Sequence, residues 1–192
     1  MALTAEEVVV KSIGDVWSAA AGTAAPDVED LDSMSALEGA GWSHMGWIQE
    51  EGPTFPGFEP QIESILGWNR QGAITEAYTI SEDARVVVPF LQFTAEVLQL
   101  YFPGATHDAV NGTIDVTDYA TPTPVALLVT IGTGSKTIGF WAGSTSPRGE
   151  GELSFPDDDG APMPVGFSIL APSSGQRFRV LGINVAAGSS PS

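Results

Sequence analysis

Cysteine is absent from this 192-residue sequence, and histidine occurs only twice. The absence of cysteine excludes disulfide bonds and thiolate chemistry, and it fits production in the cytoplasm. The two histidines, His44 and His107, lack the close-spaced partners that a zinc site needs, and no Ser-His-Asp arrangement follows from the spacing. We therefore expect no enzyme activity, no metal centre and no cofactor.

Long apolar runs are also missing. No run approaches the roughly 20 residues of a membrane-spanning helix, and the N-terminal sequence MALTAEEVVVKSIGD lacks the basic and apolar regions of a secretory signal. The sequence predicts neither a membrane protein nor an exported one. Its hydrophobic content of 43% predicts a packed core. We expect a single domain at residues 1–185, followed by a flexible C-terminal tail at residues 186–192.

Basic residues are scarce, since 7 Lys and Arg stand against 24 Asp and Glu, which gives a formal charge of −17 at pH 7. Such a chain lacks the cations that displace counterions from nucleic acid, so a role in gripping DNA or RNA is excluded. Composition is compatible with two interpretations of the acidity. It keeps the protein soluble, or it provides a surface along which nucleic acid passes without binding.

Glycine and proline, by contrast, are plentiful, with 22 and 14 residues. They interrupt the sequence about every eight to twelve positions, a spacing typical of an all-β sandwich or barrel. The run PVALLVTIG is apolar on both faces and is expected at the centre of the sheet. The predicted strands are residues 7–10, 15–19, 45–50, 61–66, 73–81, 85–90, 113–116, 125–131, 137–142, 151–155, 165–171 and 176–183.

One segment, TAEVLQLYFPG, has helical rather than strand periodicity. Val97 and Leu98 each have an aromatic residue four positions later, which predicts an apolar stripe on a helix of about two and a half turns. Thr94 is a suitable N-cap, and Pro103-Gly104 is expected to end the helix. Because so short a helix is not stable alone, it must pack on the sheet.

Two regions are predicted to be long loops, residues 20–40 and 51–60. Within the first, SMSALEG has the capping-box spacing from Ser35 to Glu38 but allows at most one helical turn. A shorter glycine-containing stretch, IGTGSKT, lacks the helix that a phosphate-binding loop needs, and we interpret it as a hairpin turn between two strands.

Two acidic motifs invite a chemical interpretation. The pair Glu50-Glu51 suggests a glycosidase, but neighbouring residues of a strand point to opposite faces, so an acidic strand end is favoured. The run PDDDGAP resembles the start of a calcium loop, yet the twelfth position counted from Asp157 is Ser168 rather than glutamate. An acidic turn is favoured there, with loose calcium binding at Asp157–Asp159 as the alternative.

Three motifs occur in a fixed order: GDVWSAAAGTAAP (14–26), GWSHMGWIQEEGP (41–53) and RVVVPFLQFTAEVLQLYFPG (85–104). In this order they resemble the major tail tube proteins of long-tailed, siphovirus-type bacteriophages, especially those that infect actinobacteria. The last motif is similar to that family's final N-terminal strand and its single helix. The resemblance covers roughly the first 105 residues, and beyond them only the β-rich character and an acidic turn agree.

The resemblance implies a mainly β fold, a β-barrel or sandwich of tail-tube type with one short helix packed on it and a long β-hairpin or loop for assembly. It also implies self-assembly into hexameric rings that stack into the tail tube of the virion, through which DNA passes without specific binding. Further implied partners are the tape-measure protein, which sets the tube length, the tail terminator and the baseplate proteins. Assembly is expected in the host cytoplasm, with no membrane involved.

On this interpretation, the acidic residues around a predicted hairpin at 46–66 face the lumen of the tube. The candidates are Glu50, Glu51, Glu59 and Glu63. Phe55 and Phe58 lie among prolines in the loop at 51–60 and are the candidates for contact between rings. Packing of that loop on its own subunit is an equally favoured alternative.

Two other classes of protein are compatible with the sequence. One is a different β-domain of the virion, a capsid decoration or head-tail joining protein. The other is a carbohydrate-binding β-sandwich module, in which exposed tryptophans would stack on sugars. The candidates for such stacking are Trp42, Trp47, Trp68 and Trp141.

Overall fold

The computed structural model describes residues 13–55, 60–66, 73–80, 84–117, 120–132, 137–153, 161–170 and 177–182. Within these ranges the chain is mainly β, as predicted. The strands are β1 Ile13–Ala20, β2 Ser43–His44, β3 Pro60–Leu66, β4 Ala73–Ile80, β5 Arg85–Phe90, β6 Thr106–Asp108, β7 Thr113–Asp115, β8 Val125–Gly132, β9 Thr137–Gly149, β10 Met163–Ile169 and β11 Arg179–Leu181. The helices are α1 Met34–Gly39 and α2 Ala95–Tyr101, with a 3-10 turn at Val28–Asp30.

Seven strands form one antiparallel sheet in the order β2-β1-β8-β9-β10-β5, with β11 also paired to β9. The prediction that PVALLVTIG is central is confirmed, because β8 lies between β1 and β9 and five successive residues of it are buried. The hairpin predicted at IGTGSKT is confirmed as well, since Gly132 at the end of β8 pairs with Thr137 at the start of β9. Strand β9 has 13 residues and pairs along its length with β8, β11 and β10.

Two hairpins stand apart from this sheet, β3–β4 and β6–β7. In the described part of the chain, neither pairs with a further strand. The long hairpin expected for the fold is therefore present, but it consists of residues 60–66 and 73–80. The prediction of a hairpin at 46–66 is wrong, because residues 47–54 run along β5 instead.

A side chain closes the β6–β7 hairpin. The Asp108 carboxylate accepts hydrogen bonds from the Asn111 side-chain amide at 2.6 Å and from the backbone N–H groups of Val110 and Asn111 at 2.9 and 3.2 Å. These bonds, the Asn111 side chain first, lower the pKa of Asp108 below its ordinary value. Because the folded-state pKa is lowered, this contribution to stability is present above the ordinary pKa and is lost as the pH falls through the lowered one.

The large sheet buries apolar residues on both faces. On one face the core includes Val16, Val88, Phe90, Val129 and Phe167, and Val97 of α2 packs against it. On the other face Trp17 and Leu128 pack with Leu31, Leu37 and Trp42. Successive residues of β1 therefore enter different cores, as the period of two along a strand requires.

The second core explains why residues 20–40 are not simply a loop. Leu31 follows the 3-10 turn and Leu37 lies in α1, and burying both orders this stretch over the sheet. The N-cap of α1 is Ser33, whose Oγ accepts a hydrogen bond from the Ala36 N–H at 3.3 Å. The predicted cap at Ser35 is wrong because that residue lies inside the helix. The described chain thus has two short helices rather than one.

Helix α2 agrees with its prediction. Thr94 Oγ1 accepts from the Val97 N–H at 3.3 Å, which confirms the N-cap, and the helix ends before Pro103. Tyr101 docks the end of the helix on the sheet, since its ring occupies the space where a Cβ on Gly149 would lie, at 2.9–3.0 Å. Its hydroxyl donates to the Gly151 carbonyl at 3.1 Å.

Several strand predictions differ from the structure, among them the strand at 137–142, which extends to Gly149 as β9. Residues 45–50 form only one isolated bridge, at Ile48, rather than a regular strand. Residues 151–153 are not in a strand, and β11 is shorter than the predicted 176–183. The strand predicted at 7–10 lies outside the described residues. In the part that is described, no helix has the length and apolar character needed to cross a membrane.

The same substitution, valine to alanine, can be compared at a buried and at an exposed position to test the packing of the core. Val88 is 0% exposed and Val110 is 93% exposed. We expect Val88→Ala to lower the free energy of unfolding by about 2 kcal/mol, since it removes two buried methyl groups and leaves a cavity. Val110→Ala should change it by less than about 0.5 kcal/mol. Urea unfolding of both variants measures the difference, and equal midpoints would contradict the assignment of Val88 to the core.

Candidate functional site

The stretch from Ser43 to Thr54 pairs with β1 and with β5, the two outermost long strands of the large sheet. At one end, Ser43 and His44 pair with β1. At the other, Thr54 exchanges two backbone hydrogen bonds with Val87 of β5, at 2.8 and 3.0 Å. We call residues 43–54 the bridging segment. It covers part of each edge strand, and the backbone groups of both edges find partners in it.

His44 fixes the start of the bridging segment. Its Nδ1 accepts a hydrogen bond from the Gly46 N–H at 3.3 Å, which places the ring proton on Nε2. Nε2 then donates to Asp15 Oδ1 at 3.0 Å. The imidazole also lies edge-on against Trp17, with 4.9 Å between ring centres. These contacts give the histidine a structural role at the end of β2, where the bridging segment turns away from β1.

Gly46 and Gln92 set the direction of the next residues. Gly46 has a φ of 85°, and the space beyond its Cα is filled by the Gln92 side chain. Gln92 Oε1 accepts from the Trp47 N–H at 3.2 Å, and the Leu91 N–H donates to the Trp47 carbonyl at 2.9 Å. Gln92 lies 45 residues from Trp47, and no pattern in the sequence marks this partnership.

The bridging segment turns alternate side chains in opposite directions. Ile48, paired with Phe90, packs against the first core. Trp47 points away from it and is 71% exposed. The other described tryptophans differ, because Trp17 and Trp42 are buried and Trp141 is half-buried. The interpretation of Trp42 as a sugar platform is therefore wrong, and Trp68 lies outside the described residues.

The predicted lumen-facing acids are only partly described. Glu50 and Glu51 are both exposed on one turn, which is closed by a hydrogen bond from the Gly52 N–H to the Gln49 carbonyl at 2.9 Å. Glu63 belongs to β3 and pairs with Ala77 of β4, so it lies on the separate hairpin. Glu59 lies outside the described residues. Where these acids lie relative to a lumen stays a prediction.

Phe55 follows the bridging segment and packs partly on its own subunit. Its ring centre lies 4.8 Å from that of Phe140, yet the side chain is 40% exposed. Phe55 rims an apolar pocket of about 180 Å³, which we call the Phe55 pocket. The pocket is lined by residues that include Val86, Leu127, Phe140, Trp141 and Phe178. Phe58, the other predicted contact residue, lies outside the described residues.

Arg85 belongs to the lining of the Phe55 pocket, and Arg179 lies over Trp141, which also belongs to it. Arg85 donates to both oxygens of Glu150, at 2.8 and 2.9 Å. Arg177 and Arg179 flank Phe178 in the sequence, and the Arg179 guanidinium lies 5.9 Å from the centre of the Trp141 ring.

A groove beside α2 has a larger volume than the Phe55 pocket. It has a volume of about 860 Å³ and is lined by Ser43 and Met45, by α2 and by prolines and small residues. Among the described residues there is no group of three or more His, Cys, Asp or Glu side chains that could hold a metal ion. The proposed calcium ligands at Asp157–Asp159 lie outside those residues.

Comparison with known proteins gives concordant results. The sequence profile of a family described as phage tail tube protein matches residues 1–189. The chain is 32% identical over 178 residues to the major tail protein Gp23 of Mycobacterium phage D29, covering 88% of each sequence. It is 30% identical over 178 residues to the major tail protein Gp23 of Mycobacterium phage L5, again covering 88% of each.

The contact between Gly46 and Gln92 predicts that a side chain at position 46 destabilises the protein. Gly22 and Gly46 have nearly the same φ, 87° and 85°, but a Cβ on Gly22 would meet nothing within 4 Å. Both Gly→Ala variants incur the strain of a positive φ, about 1–2 kcal/mol. Gly46→Ala should lower the free energy of unfolding further than Gly22→Ala does, because the new methyl group displaces the Gln92 side chain from the Trp47 N–H.

Chemical unfolding of the two variants, and of Gly46→Ala combined with Gln92→Ala, measures this excess. We expect the excess to shrink in the Gln92→Ala background. Equal losses for Gly22→Ala and Gly46→Ala would show that Gln92 does not hold the turn.

Proposed function

Because this chain belongs to the phage tail tube protein family, we propose that its copies close into six-membered rings and that the rings stack into the hollow tube of a phage tail. The observation that carries this proposal is the family match over residues 1–189. It favours a tail tube over a capsid decoration or head-tail joining protein. The role is structural, and the protein acts as part of the virion after assembly in the host cytoplasm.

The β3–β4 hairpin supports ring formation. It pairs with no further strand in the described part of the chain, so its outer edges present backbone groups that lack strand partners. A two-stranded hairpin is marginally stable by itself. Pairing with hairpins of neighbouring copies would merge the strands into a continuous inner barrel, which has no exposed edge.

The charge of the chain supports a role as a DNA channel. Six copies would carry a formal charge of about −102 per ring, and a wall of carboxylates repels duplex DNA and gives it no cations to bind. We propose that Glu50, Glu51, Glu59 and Glu63 face this lumen. Two of them, Glu50 and Glu51, share an exposed turn, which is compatible with a solvent-filled channel.

The remaining parts of the proposal concern partners and boundaries. Residues 1–185 act as one tail-tube domain, with residues 186–192 as a tail. A tape-measure protein sets the length of the tube, a tail terminator closes one end, and baseplate proteins occupy the other. Phe55 and Phe58 lie at the contact between rings.

Negative-stain microscopy of the purified protein tests the proposal directly. We expect hollow tubes, or stacks of rings with six-fold end views, as the protein concentration rises. Phe58→Ala should weaken the stacking of rings while leaving the subunit folded, as judged by circular dichroism. A protein that stays monomeric at every concentration, or rings of another symmetry, would overturn the proposal. Tubes of unchanged length from Phe58→Ala would remove that residue from the contact.

A cryo-electron-microscopy map of the assembled tubes tests the acidic channel separately. We expect Glu50, Glu51, Glu59 and Glu63 on the inner wall. The fourfold Glu→Gln variant should still form tubes, because these residues are not proposed to hold subunits together. If the map places the four residues on the outer surface, the lumen assignment is wrong even though the tube is real.

A further inference from the structure

Asn111 lies in the turn of the β6–β7 hairpin, and it is the one asparagine of the sequence that precedes a glycine. The other two, Asn69 and Asn184, precede arginine and valine. Asn111 and Gly112 are both exposed. Glycine has no Cβ, so its backbone nitrogen is open to approach. Asn-Gly is for this reason the dipeptide in which asparagine most readily loses ammonia.

The loss of ammonia is an acyl transfer within the chain. The Gly112 nitrogen gives its proton to hydroxide and attacks Cγ of Asn111, so that a new C–N bond closes a succinimide ring. The bond from Cγ to Nδ2 breaks, and Nδ2 takes a proton from water and leaves as ammonia. Water then opens the ring at either carbonyl, which gives aspartate or isoaspartate. Nothing is oxidised or reduced, and water is the only co-reactant.

Asp108 holds both reacting groups. Its carboxylate accepts a hydrogen bond from the Asn111 side-chain amide at 2.6 Å, and its backbone carbonyl accepts one from the Gly112 N–H at 2.8 Å. Ring closure turns the carboxamide toward the Gly112 nitrogen, so the bond to the carboxylate has to break first. Bonds to an ionised acceptor are the stronger kind. The Gly112 proton faces a carbonyl oxygen, which is too weak a base to remove it.

We propose that Asn111 is a site of spontaneous deamidation and that Asp108 restrains the reaction in the folded subunit. The reacting groups and their restraint all belong to one copy of the chain. The inference therefore goes beyond the proposed assembly and does not depend on it.

The product of the reaction cannot be restrained in the same way. A carboxylate replaces the amide that donated to Asp108, and two carboxylates so close repel each other. The bond from the Asn111 side chain is also the largest cause of the lowered pKa of Asp108, and it is lost. Isoaspartate adds a backbone methylene to the connection 109–112, which disturbs the pairing of Asp108 with Thr113. We therefore expect deamidation to open the hairpin.

The opening should stay local. In the described part of the chain, the β6–β7 hairpin pairs with no further strand. Ala105, just before β6, is buried, and its carbonyl accepts a hydrogen bond from the Gln99 side chain of α2 at 3.3 Å. The chain is thus anchored before the hairpin begins, and the core need not follow it.

The rate of deamidation is the first test. The purified protein is kept at mildly alkaline pH, and mass spectrometry of its peptides follows the product at Asn111. A capped synthetic peptide of residues 106–115 has the same Asn-Gly without the fold. We expect the folded protein to react at least about fivefold more slowly than the peptide, since a hydrogen bond to a charged group must break first.

Substitutions identify the restraint. Asp108→Ala should raise the rate in the protein nearly to that of the peptide. Asp115→Ala removes an exposed carboxylate from the far end of the same hairpin and should leave the rate unchanged. Asp108→Asn keeps an oxygen that can accept from Asn111, so it should recover part of the protection. Fragment masses distinguish the product at position 111 from any at position 108.

Hydrogen exchange tests the consequence. Asn111→Asp reproduces one product, and we expect faster exchange across residues 106–115 than in the wild type, with an unchanged midpoint of urea unfolding. Asn111→Ser stays neutral and cannot form a succinimide, so it should exchange more slowly than Asn111→Asp.

Each measurement can contradict the proposal. Equal rates in the folded protein and the peptide, or equal acceleration by Asp108→Ala and Asp115→Ala, would show that Asp108 is not the restraint. A peptide that reacts while the Asp108→Ala protein does not would exclude Asn111 as a deamidation site of the subunit. A hairpin that stays protected in Asn111→Asp would overturn the predicted opening.

Discussion

The backbone hydrogen-bonding groups at the two edges of the large sheet need partners, and a single segment supplies some of them at both edges. The bridging segment pairs with β1 at Ser43 and His44 and with β5 at Ile48 and Thr54. Backbone groups on an exposed edge would recruit other strands, so covering them protects the subunit from uncontrolled pairing. The same pairing decides which way the side chains of the segment point. Ile48 enters the core and Trp47 faces solvent because their backbone is held against Phe90 and Leu91.

The edges of the β3–β4 hairpin, by contrast, pair with no further strand in the described part of the chain. A tail tube protein needs a subunit that is stable before assembly and still offers edges for it. The division between a protected sheet and an unprotected hairpin meets both requirements. In the proposed assembly, pairing between copies at the β3–β4 hairpin would leave the register of the large sheet unchanged.

The excess of acidic residues constrains how copies of the chain can bind one another. The chain carries −17 overall, so ion pairs cannot be the general adhesive between identical copies, which repel one another. In the proposed assembly, strand pairing and apolar contacts would supply the attraction, and the few cations matter most where they offset repulsion locally. Arg85, for example, is paired with Glu150, and the Arg179 guanidinium lies over the Trp141 ring. The acidity of the chain therefore limits the surfaces through which identical copies can bind each other.

Sequence patterns alone predict the β-rich class, the central position of β8, the β8–β9 hairpin and the capped helix α2. These depend on local period and on turn or cap residues, which a linear pattern records. The order of three motifs also indicated the family. The path of residues 47–54 along β5 depends on tertiary contacts, because the backbone partners of these residues lie about 40 residues away in the sequence. Tertiary contacts likewise decide that Leu31 and Leu37 order a predicted loop, and that Gln92 aims Trp47 outward. Contacts between distant residues leave no period in the sequence, so these features follow from packing alone.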